Sequence, residues 1–231
     1  MIAGLAKAAE GTNRRGLHLG FASCPPLIGL RIQRTDSSEI KECGTFNEAA
    51  AELIAAKGIK TVILVARWPL YAENWSRVGA DARNKPLHLA DAESPIPSAT
   101  VLHPLFERAL QRTVAYLGSL GVRVLIVEAV PENSVNVPNA LALGQVIGRD
   151  ISASGPVRAE VKARHTWVMA QFDALEASGA ATLVRTHDVL CGPSRCHQML
   201  DGVPLYRDMD HPSIPGALLL EPIFRAALTS E

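Results

Sequence analysis

The chain has no hydrophobic run that could cross a membrane: its longest apolar stretches, such as TVILVA at 61–66, are of strand length, against the ~20 residues a span requires. It also lacks net charge. Lys plus Arg and Asp plus Glu stand at 23 each, and no basic run marks a phosphate-tracking surface, so nucleic acid is not expected as a partner. The N-terminal MIAGLAKAAEGTNRRG is alanine-rich and helical in pattern. It has neither the basic start, the apolar block nor the small-residue cleavage site of a secretory signal. Read as it stands, the chain is expected to be soluble and to carry no address.

Cysteine is sparse, but its 4 residues fall into two local pairs, Cys24/Cys43 and Cys191/Cys196, each flanking a loop with Pro or Gly. Four cysteines allow three pairings, so spacing alone leaves disulfides and buried thiols both open. Cys191-x4-Cys196-His197 has some zinc-ligand character, yet no second C-x-x-C stands at a zinc-ribbon spacing, and no metal is expected. Oxidised pairs would imply a periplasmic or extracellular compartment.

What the chain does have is core. At 231 residues and 48% hydrophobic it is expected to form one large domain, 1–231. Periodicity predicts helices over 2–10, 46–58, 103–121 and 157–178, and strands over 16–22, 59–66, 122–130 and 181–190,. A last helix is expected from about Ser213, with Pro215 in its first turn,. The Pro-, Asn-, Asp- and Gly-rich segments 68–102 and 131–156 read as surface excursions. Apolar strands alternating with helices predict an α/β fold with a doubly wound, mainly parallel sheet. Such a sheet normally opens with a central strand, whereas this chain opens in a helix, so that strand is expected to be missing.

Ligand sites in such sheets gather where strands end, which here means Arg67–Tyr71, Pro131–Ser134, and the cysteine loop followed by Asp208 and His211,. Arg67 and Trp68 are candidates for steadying an oxyanion and walling a substrate site; ion pairing of Arg67 and packing of Trp68 are the plainer alternative. The stretch PLYRDMDHPSIPGALLL, 204–220, places Asp208, Asp210 and His211 just ahead of an apolar helix. In D-x-x-H a carboxylate can accept the imidazole Nδ1 proton and leave Nε2 to take one from a hydroxyl. Two members of a nucleophilic triad are thus in hand, Asp208 and His211. No serine completes it convincingly: Ser23 is tied into the SCPP corner, and Ser134 and Ser213 read as loop and cap residues,. The other histidines lack a carboxylate at such a spacing, apart from Asp188 beside His187, which in a strand would point to the opposite face,.

Taken together, SCPPLIG (23–29), Cys43 followed by FN at 46–47, VILVARWPLY (62–71), VEAVPE (127–132) and CGPSRCHQMLDGVPLYRDMDHPSIPGALLLEPIF (191–224) resemble a family. It is the SGNH domain, of the SGNH/GDSL hydrolase superfamily, fused to membrane acyltransferase-3 domains in bacterial O-acetyltransferases. Its members commonly read close to Y-R-D-D-D-H-L-S at the last block; Met209 and Pro212 depart from that, and neither is part of the proton relay. The resemblance implies a flavodoxin-like architecture, Asp208 and His211 as triad acid and base, and disulfides Cys24–Cys43 and Cys191–Cys196 in a periplasmic domain. It further implies an acyl donor, a polysaccharide acceptor, a membrane acyltransferase-3 domain as partner in cis or trans, and no cofactor. It places the nucleophile in a G-D-S-H block ending a first strand, just before a helix of the kind that opens this chain. The expectation is therefore an acyltransferase or esterase domain that lacks its nucleophile strand and is inactive as written. A non-catalytic glycan- or partner-binding relic is the alternative, and a metal module of Cys196, His197, Asp208 and His211 a third.

Overall fold

The parallel strands of the sheet are short, largely apolar runs, and stretches with apolar residues three and four apart form helices. The computed structural model describes every residue except 13, 35–39, 42, 75–85, 149–153 and 231. In chain order the elements are α1 (Ile2–Ala9), β1 (Arg31–Arg34), β2 (Ile40–Lys41), α2 (Cys43–Lys57), β3 (Thr61–Val65), α3 (Trp68–Glu73), β4 (Leu87–Ala90), α4 (Leu102–Ser119) and β5 (Arg123–Val127). They continue with α5 (Val137–Val146), α6 (Arg158–Ala177), β6 (Thr182–Val184), α7 (His187–Leu190), β7 (Met199–Leu200), β8 (Val203–Pro204), α8 (Ile214–Leu219) and α9 (Glu221–Thr229). The chain divides into two compact units. A sheet unit comprises 19–129 and 166–183; a second unit comprises 1–18, 130–165 and 184–231 and contains Asp208 and His211.

In the sheet unit the strand order is β3-β5-β6, and β3 runs parallel to β5 in a register from Thr61↔Arg123 to Val65↔Val127. Val124, Leu125, Ile126 and Val127 of β5 are all buried, which explains why that strand reads as a continuous apolar run. Helix α4 buries Leu102, Leu105, Phe106, Ala109, Leu110, Val114 and Leu117, the i, i+3, i+4 stripe of an amphipathic helix. An antiparallel sheet of order β2-β1-β4 lies in the same unit. Beyond β4, the fully buried Asp91 receives Arg108 Nε at 3.1 Å, Arg108 Nη2 at 3.0 Å and Ser94 N–H at 2.8 Å. Cys24 is bonded to Cys43. The adjacent Cys-Pro-Pro corner is pinned by Asn47 Nδ2, which donates to Pro25 O and Leu27 O.

The second unit ties the first helix to the last two. Gly4 of α1 lies so close to Ala217 O that a Cβ would collide with it, and Arg225 of α9 donates to Lys7 O and Glu10 O at the end of α1. Those carbonyls are among the orphan acceptors of a helix end. Helix α8 starts where expected, with Ser213 as N-cap and proline in the first turn. Its hydroxyl accepts from Gly216 N–H and donates to Pro204 O.

The expected α/β class with a parallel sheet is what the structure has. Three local expectations are corrected. Residues 16–22 are not a strand: no ladder forms there, and Leu17, Leu19 and Phe21 are exposed. The 181–190 strand stops at Val184, and His187–Leu190 turns helical. Nor are 68–102 and 131–156 surface excursions throughout, since Trp68–Ala72, β4 and Pro131–Asn133 are buried; their prolines and asparagines punctuate short packed elements rather than exposed loops.

Candidate active site

The sequence Met199–Pro204 folds as a hairpin around Asp201 and Gly202, at φ 48° and 79°, the left-handed pair for which Asp-Gly is the favoured choice. The hairpin feeds a tight loop over 205–213. Arg207 N–H donates to His211 O at 3.0 Å and Ser213 N–H to Leu205 O at 2.9 Å, so the loop is closed by its own backbone. Asp208 organises the interior: Oδ1 accepts the N–H of Asp210 at 2.9 Å and of His211 at 2.7 Å. Its Oδ2 accepts His211 Nδ1–H at 2.8 Å.

The residues following β5 hold this loop from the side. Asn133 donates both its backbone N–H, at 2.8 Å, and its Nδ2, at 3.0 Å, to Met209 O. Val137 N–H donates to Asp208 O at 3.2 Å. Glu132, buried beside Asn133, accepts from Arg164 Nε at 3.0 Å, and Asn136 caps α5 by accepting Asn139 N–H. Within the loop Tyr206 is buried, and burial pushes its phenol well up.

Asp208 and His211 are expected as acid and base, and the geometry suits that chemistry. With Nδ1 engaged, Nε2 of His211 remains, on a side chain 59% exposed. The hydrogen bond to Asp210 raises the imidazole above its ordinary range, burial opposes this, and the charges of Asp210 and Asp208 and the bond to Asp208 add to the rise. Burial raises the Asp208 carboxyl, but the backbone N–H groups of Asp210 and His211 and the charge and hydrogen bond of His211 outweigh it, and the net direction is down. A carboxylate held ionised beside an imidazole made more basic is the arrangement that general-base chemistry requires.

The other expected site residues are placed as follows. Both cysteine pairs are disulfides, Cys24–Cys43 and Cys191–Cys196, which removes Cys196 from any thiolate metal set. Arg67 and Trp68 belong to the sheet unit. Trp68 is fully buried, donates Nε1–H to Val127 O at 2.8 Å and meets Phe106 and Phe172 edge to face. It packs and presents no surface to a ligand. Arg67, half-buried, immediately precedes α3. Donor atoms of Asp208, Asp210 and His211 lie within 4.8 Å of one another, and His211 Nδ1 there is hydrogen-bonded to Asp208 Oδ2.

Sequence reasoning missed Asn133 and assigned no role in the relay to Asp210. The signal for Asp210 was the D-M-D-H spacing itself; Asn133 offered only its place after a buried strand. The mixed α/β architecture with its parallel sheet is consistent with the SGNH hydrolase fold. The chain belongs to the family described as SGNH domain (fused to AT3 domains), which it matches over residues 1–226. Among solved structures it is similar to the lipopolysaccharide acetyltransferase periplasmic domain of Salmonella ser. Paratyphi A, at 15% identity and a TM-score of 0.66, over 99% of this chain and 78% of that one. No curated protein sequence matches it.

Proposed function

We propose that the chain serves a carbohydrate O-acyltransferase as its SGNH domain, with Asp208 and His211 as the proton relay. The observation that carries this is the 2.8 Å bond from His211 Nδ1–H to Asp208 Oδ2 on a loop whose backbone is pinned at Asp208 O and Met209 O. In the reaction the acceptor's own hydroxyl oxygen attacks the carbonyl carbon of an acyl donor while Nε2 takes its proton, a route that uses no serine of this chain and so departs from the expectation of an inactive domain. The C–O bond forms, the tetrahedral intermediate collapses, and imidazolium returns the proton to the leaving group of the donor. Asp208 holds the ring and stabilises the imidazolium. The hydroxyl is not assigned to Ser213, which is spent on capping α8 and on Pro204 O.

The acceptor in this reading is a cell-surface polysaccharide, and the partner a membrane acyltransferase-3 domain, in cis or in trans. The setting is the periplasmic or outer face of the membrane, with the chain tethered to that partner. Two disulfides fit an oxidising compartment,, and the similar Salmonella domain is titled periplasmic. No helix among the described residues is long and apolar enough to cross a membrane. The test is to express the chain with an acyltransferase-3 domain in cells and measure acetyl ester on surface polysaccharide. His211→Ala is expected to lower it by about 10²-fold or more, the low end of general-base contributions; unchanged acetylation would overturn the relay.

A further inference from the structure

One N–H faces two acids. His211 Nδ1 is 2.8 Å from Asp208 Oδ2 and 3.1 Å from Asp210 Oδ1. The two carboxylates are not equivalent. Asp208 also binds two backbone N–H groups through Oδ1 and its side chain is 33% exposed, whereas the Asp210 side chain is 12% exposed. The less solvated charge is screened less, so at similar distance it acts on the ring more strongly.

We propose that Asp210 is a second positioning residue for His211, sharing the Nδ1 proton with Asp208, so that a pair of carboxylates rather than a single acid orients the ring. The inference rests on the relay reading given above. It divides the labour: Asp208 shapes the turn through Oδ1 and faces Nδ1 through Oδ2, and Asp210 faces the same Nδ1 with a second carboxylate. Two anions around a neutral imidazole repel each other, and that repulsion is relieved when the ring takes a proton, which makes His211 a stronger base than one acid would. Arg207 Nε lies 3.9 Å from Asp208 Oδ2, the Met1 ammonium, lowered first by burial, feels the charge of Arg207, and Glu132 in the adjoining segment is paired with Arg164.

The experiment is an NMR titration of the His211 ring in the 231-residue chain, for the parent, Asp208→Asn, Asp210→Asn and Asp210→Glu, assigned with His211→Ala. Asp210→Asn is expected to lower the titration midpoint at least as far as Asp208→Asn does, and Asp210→Glu to recover part of the loss. In the cellular acetylation assay Asp210→Asn is expected to cost about 10-fold, short of the full general-base contribution. A midpoint unmoved by Asp210→Asn while His211→Ala is inactive overturns the role of Asp210 and leaves the relay standing. A low midpoint in both Asp210→Asn and Asp210→Glu also overturns it, because the charge would then not be what acts. Full acetylation by His211→Ala overturns the relay instead, whatever the midpoints.

Discussion

Asp208 does two jobs with two oxygens, and substitutions can separate them. Asparagine keeps an oxygen for the N–H groups of Asp210 and His211 but loses the charge that faces Nδ1–H. Asp208→Asn is therefore expected to melt within a few degrees of the parent while losing about 10²-fold or more of its acetylation activity. Asp208→Ala leaves both N–H groups without an acceptor and should lose stability as well, by about 1–3 kcal/mol; thermal melts beside acetylation assays check the split. The raised His211 fixes a direction for pH. Only the neutral ring accepts a proton, so activity should rise through a midpoint above that of an ordinary histidine. The stability the ring contributes has the opposite dependence: it is present at pH below the unfolded-state pKa and is lost as pH rises through the folded one. The Asp208–His211 pairing was legible because a D-x-x-H turn needs only neighbouring residues. The clamp from Asn133 to Met209 O spans 76 positions, and no local pattern encodes it.

Among the elements, α8 sets where the site loop ends. Ser213→Ala removes a cap that binds at both ends, to Gly216 N–H and Pro204 O, and should cost about 1 kcal/mol. At Gly216 a Cβ would run into Leu205 O. Gly216→Ala should force the helix off the strand-like segment beneath it, costing about 1–3 kcal/mol and lowering activity through the displaced loop; denaturant melts of both variants measure these losses. Elements with helical periodicity or a continuous apolar run were legible, namely α1, α2, α4 and α6 among the helices and β3 and β5 among the strands. The antiparallel pair β1 and β4 was not, since Arg31↔Ala90 joins residues far apart in sequence and Arg31 and Arg34 mask the apolar alternation. Leu17, Leu19 and Phe21 misled in the other direction. Their alternation is that of a strand, but alternation expresses only which face would be buried, and a strand also needs a neighbour to bond.

For the whole molecule, Asp91 contributes to the loss of stability in acid,. Burial raises its carboxyl, yet the hydrogen bonds from Arg108 and Ser94 N–H and the charges of Arg108 and Arg112 prevail, and it lies below the usual carboxylate range. Its contribution is present above the unfolded-state pKa and disappears as pH falls through the lower folded one. Asp91→Asn should cost about 2 kcal/mol near neutrality, as for hydrogen bonds to a charged group. The gap from the parent should close in strong acid, which melting at a series of pH values would reveal. The bridge Cys24–Cys43, of sequence separation 19, should add about 3 kcal/mol by loop closure, and Cys191–Cys196, of separation 5, less. Melts with and without reductant, together with counts of alkylatable thiols in protein from an oxidising compartment, test both bridges; four reactive thiols there would contradict them.

The seam of α1 with α8 and α9 imposes a schedule on synthesis. Gly4 waits for Ala217, and Lys7 and Glu10 wait for Arg225. At about 5–20 residues per second on the ribosome, α1 emerges roughly 10–40 s before the helices it packs on. Throughout that interval α1 lacks the two helices it packs on, and the long chain separation makes the closing step slow in itself,. A chain threaded through a narrow export channel must be unfolded when it arrives. In the periplasmic reading proposed above, delay is an asset: a seam that closes late leaves the chain open for export.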